Sequence, residues 1–135
     1  MSTPINPPEL APPRGYSNGL RFEAGRTLFI AGQIGWNREG ELAEGFLAQF
    51  DLAMANMMAV VANAGGTAEH LGRMTIYLTD KRQYTADLKA VGAVYRSHMG
   101  KHYPAMSLVE VRALLEDRAL VEIEGTAILP ATETA

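Results

Sequence analysis

Two carboxylates two residues apart, Glu122 and Glu124, stand among apolar neighbours in Val121-Glu122-Ile123-Glu124-Gly125. An extended strand turns residues at that spacing to one face, and a partly desolvated carboxyl there could carry a proton to or from a reacting group. On spacing alone the pair also reads as the polar face of an amphipathic strand. Two aromatics beside loops, Tyr16 and Trp36, could stack on a flat ligand or pack locally. His70, His98 and His102 lack a short metal-ligand spacing such as i, i+4 on one helix, so no metal site is expected. Ser107, His102 and Asp117 offer the residue types of a nucleophilic triad, but no spacing links them. The chain has no cysteine, which excludes thiol chemistry. The glycines between 32 and 40 and at 65–66 lack the Gly-Lys-Ser/Thr of a phosphate cradle.

The elements that must position these residues follow from periodicity. Residues 1–15 hold most of the prolines and are expected to run extended before a single domain over 16–130. Leu20, Phe22 and Ala24 alternate with Arg21 and Glu23, and Thr27 to Ala31 follows Gly25-Arg26, a pattern that predicts a β-hairpin. Gly32 to Gly40 reads as a loop. Phe46, Phe50, Met54, Met57 and Val61 recur every three or four residues, predicting a helix from Glu44 to Ala64 stopped by Gly65-Gly66. His70 to Thr79 reads as a strand apolar toward both faces. Asp80 with Gln83 forms a capping pattern ahead of one helix, with Tyr84, Leu88, Val91, Tyr95 and Met99 on a single stripe. Strands over 105–112 and 119–128 complete the order ββαβαββ. The expected architecture is α+β, two helices on one face of a mixed sheet. Its uncovered face carries apolar residues, which suggests self-association.

Composition limits the partners. With 47% hydrophobic and 20% charged residues in 135, the chain is an ordinary globular domain. The net charge of -3 gives no footprint for nucleic acid, whose binding relies on clustered Lys and Arg. No run reaches the about 18 apolar residues of a membrane span, and the N-terminus lacks the basic start and apolar core of a secretory signal. A cytoplasmic protein with no membrane association is expected.

The segment Tyr103-Pro104-Ala105-Met106-Ser107-Leu108-Val109-Glu110-Val111, with Glu122-Ile123-Glu124, resembles the C-terminal signature of the RidA (YjgF) family. Gly15-Tyr16-Ser17, Ala31-Gly32-Gln33-Ile34 and Gly65-Gly66 extend the resemblance over about nine tenths of the chain. It implies a chorismate-mutase-like fold, a homotrimer with ligand clefts between subunits, and cofactor-free hydrolysis of 2-imino or enamine acids released by pyridoxal-phosphate enzymes. Carried over by position, Tyr16 matches the aromatic lining the cleft, Gly32 the backbone donor, and Glu122 the acid that positions the attacking water.

Four positions depart from the pattern. Ala31 stands where relatives often have serine, Gly92 where some have asparagine, Leu108 where many have cysteine, and Met106 where arginine grips the substrate carboxylate. A thioether cannot do the bidentate work of a guanidinium. Arg112 lies six residues from Met106, about 20 Å along an extended strand, too far to replace it from there; Arg14, Lys101 and His102 are nearer candidates. The expectation is a small-molecule substrate more apolar than common 2-imino acids, processed at Glu122 in a pocket of Tyr16, Ala31, Gly32, Met106, Leu108 and Trp36. A non-catalytic ligand-binding trimer is the alternative, and ribonuclease activity is not expected from so acidic a chain.

Overall fold

In the computed structural model, Val121, Ile123, Gly125, Ala127 and Leu129 are buried while Glu122, Glu124, Thr126 and Ile128 between them are only partly so. That two-residue period marks β6 (Val121–Pro130) as a strand with one face in the core. The structure describes residues 2–132, so Met1 of the proline-rich segment lies outside the described residues. The other strands are β1 (Ser2–Ile5), β2 (Gly19–Phe22), β3 (Gly25–Ile34), β4 (Leu71–Leu78) and β5 (Ala105–Glu110). The helices are α1 (Phe46–Asn63), α2 (Lys81–Thr85) and α3 (Leu88–Met99), with a 3₁₀ turn at Ala68–His70.

The main sheet runs β3-β6-β4-β5. β6 is antiparallel to both neighbours, whereas β4 and β5 are parallel and joined by the crossover through α2 and α3. The α+β architecture with a mixed sheet is therefore as expected. α1 packs against β3, β6 and α3, so the helices share one face.

α1 shows why the core sits where it does. Phe50, Met54, Met57 and Val61 are completely buried and Phe46 nearly so, each large side chain contributing about 1.5–3 kcal/mol by leaving water. By length and composition the helix could cross a membrane, but its apolar stripe is spent on the sheet. It ends as the glycines demand: Gly65 takes φ +85°, its N–H donates to the Ala62 carbonyl, and the Gly66 N–H donates to that of Val61. These two bonds satisfy carbonyls a helix terminus leaves open.

Several boundaries differ from the sequence reading. β2 does not form a hairpin with β3; it pairs with β1, Ser2 opposite Phe22 and Ile5 opposite Gly19. Alternation identified β2 and β3 but not the partner of β2; β1 falls in the proline-rich segment where no strand is expected, and Pro4 is tolerated there because β1 is an edge. β3 extends to Ile34, so Gly32 to Ile34 belongs to a strand rather than a loop. The single helix after Asp80 is two, because Asp87 caps α3 by accepting the Ala90 N–H at 3.0 Å. Leu88, placed on the buried stripe, is 60% exposed as a result. Asp80 caps α2, its carboxylate accepting the Arg82 N–H rather than forming a reciprocal box with Gln83. β5 stops at Glu110, two residues before Arg112.

Candidate functional site

Glu122 occupies the open face of β6, opposite Tyr77 of β4 on one side and Ile34 of β3 on the other. Beside it, β3 departs from regular pairing: Ile30 faces Gly125 and Gln33 faces Ile123, leaving Ala31 and Gly32 bulged across from one residue, Glu124. A bulge frees backbone groups from the ladder and bends the strand. A Cβ on Gly32 would collide with the Glu122 carboxylate. The absent side chain is what lets the acid lie against the bulge. Ala31, Gly32 and Glu122 are therefore brought together, on the sheet face that no helix covers.

Glu124 is more than a solvated charge. The Tyr77 hydroxyl donates to its carboxylate, reaching diagonally across from the rung where Thr75 faces Glu124. That bond, with lesser contributions from burial and the nearby carboxylates, raises the Tyr77 pKa above its ordinary value. Sequence reading missed Tyr77. Its only signal was its place in a strand apolar toward both faces.

Tyr16 and Met106 form a second group. The parallel register sets Met106 against Met74 and Leu108 against Ile76, and Met74 and Ile76 are buried under the helices. Met106 consequently packs on the core. Since Tyr77 shares the open face with Glu122, Met106 and Leu108 point to the opposite side of the sheet from the proposed acid. Tyr16 reaches Met106 because Ser17 bridges to Ala105, its N–H donating to the Pro104 carbonyl at 3.0 Å and its hydroxyl to that of Tyr103 at 2.6 Å. Together they line a cavity of about 270 Å³ with Ser17, Asn18, Arg73, Met74, Ala105 and Ser107. Leu108, 37% exposed, is not in its wall. Trp36 stands apart: it bridges to Leu42, and its carbonyl accepts from Asn56 of α1.

On α3, Gly92 has the Arg96 guanidinium laid over it, with Nη1 3.0 Å from where a Cβ would stand. Lys101 and His102 border a larger, more open hollow behind Tyr16. The histidines hold structure: His98 meets Asp51 of α1 at 2.6 Å, His102 donates to the Leu71 carbonyl at 2.7 Å, and His70 Nδ1 accepts the Thr67 N–H at 2.9 Å. No group of three or more His, Cys, Asp or Glu residues is placed to hold a metal among the described residues. Gln49, also missed, is buried and ties α1 to the loop ahead of it and to the loop that leads into β6. Its amide donates to the Ala43 and Arg118 carbonyls and accepts the Leu120 N–H at 2.8 Å, two residues before Glu122.

A mixed sheet helical on one side, with a bulge-seated acid on its bare side and an aromatic-lined cavity at its edge strand, defines an α+β domain. Residues 7–129 match the family described as Endoribonuclease L-PSP, and the chain belongs to this family, the RidA/YjgF proteins. A Rid-family protein of unknown function from Yersinia pestis, YyfB, superposes with a TM-score of 0.84 at 36% identity, covering 95% of this chain and 98% of that one. Escherichia coli TdcF, solved with bound serine, gives a TM-score of 0.66 at 28% identity over 92% and 93%. The 2-iminobutanoate/2-iminopropanoate deaminase of Dermatophagoides farinae is 31% identical over 96% of this chain and 94% of its own.

Proposed function

We propose that the protein is a reactive-intermediate deaminase that hydrolyses a small imine or enamine without a cofactor, in a homotrimer whose clefts lie between subunits. One observation carries this reading: the Glu122 carboxylate rests on the Ala31–Gly32 bulge, with the backbone there outside the strand ladder. Glu122 takes a proton from water as its oxygen attacks the C=N carbon, then returns that proton to the nitrogen. The carbinolamine then collapses to a carbonyl and ammonia. Water and one proton carrier suffice for this sequence, and bulge N–H groups can stabilise charge developing on the substrate.

Glu122 and Met106 lie on opposite faces of one chain, so a complete cleft requires the open face of one copy to meet the β5 edge of another. Phe29, 81% exposed on that open face, gives such a contact an apolar anchor. Met106 and the partly exposed Leu108 favour a substrate body more apolar than common 2-imino acids. The deaminase name of one relative and the serine held by TdcF support a small, amino-acid-derived ligand. The apolar side chains at 31, 106 and 108 also support a second reading, a trimer that holds its ligand without transforming it.

Imines generated in situ by amino-acid oxidases test the proposal. Turnover by the native protein that Glu122→Gln removes, with ligand affinity retained, is the expected result. Saturable binding without turnover of any imine or enamine would establish the binding reading instead.

A further inference from the structure

The cavity between Tyr16 and Met106 has an arginine from a different strand in its wall. Arg73 of β4 lines it with Ala105, Met106 and Ser107 of β5. Register explains why. In the parallel β4–β5 pair Arg73 faces Ala105 directly, and such partners place their Cβ atoms about 5 Å apart on one face. The Ala105 methyl leaves the way open, and an extended arginine side chain outreaches the roughly 4.8 Å strand spacing. Consecutive residues of both strands, Arg73 and Met74 with Ala105, Met106 and Ser107, form the wall, next to the point where Ser17 bridges to Ala105.

Three further observations give Arg73 a ligand-facing role. It is exposed and forms no ion pair among the described residues. Ser107 stands next but one to Ala105 on the same face, and Asn18 adds an amide, so the cation has neutral hydrogen-bonding company in the same cavity. Arg73 also lines a hollow of about 250 Å³ with Glu124, Thr75 and Thr126. It thus stands between the carboxylate-bearing face and the Tyr16–Met106 cavity.

We propose that Arg73 is the specificity residue that binds the anionic end of the ligand, doing from β4 what the side chain at position 106 cannot do from β5. This rests on the deaminase reading for the ligand class, a 2-imino acid with a larger apolar side chain than the common ones, whose carboxylate meets Arg73 while that side chain lies on Tyr16 and Met106. A guanidinium suits that end because its fork matches both carboxylate oxygens.

The test measures binding of 4-methyl-2-oxopentanoate and its neutral counterpart 4-methyl-2-oxopentanamide by calorimetry, on the native protein and on Arg73→Met, Arg73→Gln and Arg96→Met. The native protein should prefer the carboxylate by roughly ten- to a hundredfold, the range a charge-assisted hydrogen bond supplies. Arg73→Met and Arg73→Gln should both lose that preference with amide affinity unchanged, while Arg96→Met keeps it. If Arg73→Met alters assembly on gel filtration, Arg73→Gln, which retains most of the stem and a polar tip, decides. A preference that survives both Arg73 changes overturns the inference, as does a native protein that shows none or a loss appearing only in Arg96→Met. Glu122→Gln separates the two proposals. If the native protein turns over no imine yet binds the carboxylate in an Arg73-dependent way, the hydrolase reading falls and this one stands.

Discussion

Gly32 and Glu122 are packed so closely that the space a methyl group would need at residue 32 is already filled by the acid's carboxylate. The obstructing atoms end a flexible side chain. Gly32→Ala should therefore swing Glu122 off the bulge while leaving the fold intact, at a cost of about 1 kcal/mol, the lower end for a methyl added to filled space. Imine turnover should fall by about 10²-fold or more, the usual worth of a placed proton carrier. Thermal unfolding and kcat measured on the same sample check both halves.

Gln49 is expected to matter for both stability and activity. Each buried group left without its partner costs about 1–3 kcal/mol, and Gln49→Ala strands the Ala43 and Arg118 carbonyls and the Leu120 N–H. Loosening Leu120 also frees the start of β6 two residues before Glu122. Urea denaturation should show a loss of about 3 kcal/mol, with kcat reduced even at temperatures where the variant stays folded.

Alkaline pH should destabilise the protein through its tyrosines. Burial holds the Tyr95 pKa far above its ordinary value, helped by Tyr103 and Tyr84 nearby, and burial raises Tyr84 as well. The neutral form is the one the folded state favours. This stabilisation is complete below the unfolded value near pH 10 and shrinks as pH climbs past it, where the unfolded chain releases protons first. Tyr95→Phe should flatten the decline above pH 10. It should also cost about 1 kcal/mol at neutral pH by removing the 2.6 Å bond to the His102 carbonyl. Denaturation midpoints at pH 8, 10 and 11 test the sign.

Phe29 provides the assembly test. Phe29→Arg puts a charge on the open face where the proposed trimer makes contact, and an unpaired charge buried there is unfavourable by several kcal/mol. Sedimentation should show the native protein as a trimer and the variant as a monomer. The monomer should retain its far-ultraviolet dichroism but lose imine turnover, because Glu122 and Met106 of one chain do not share a face.

The sequence by itself determined most of the elements and much of the core. Its 3.6-residue stripe gave α1 with Phe46, Phe50, Met54, Met57 and Val61 buried, and alternation gave β6 with Glu122 and Glu124 on one side. These patterns are local, since a helix or strand repeats its own geometry whatever it packs against. The Asp87 cap, the β1–β2 pairing and the role of Gln49 were not legible, because each depends on a partner remote in sequence or on a one-residue choice between cap and helix interior. The tertiary structure alone decided the phase between strands. Alternation says that Met106 and Leu108 share a side of β5 and that Glu122 and Glu124 share a side of β6, but not whether those sides coincide. Pairing through β4 puts Met106 with Met74 and Glu122 with Tyr77, on opposite faces. The same register delivers Arg73 to the cavity at Met106, a placement set by hydrogen bonding between strands more than thirty residues apart.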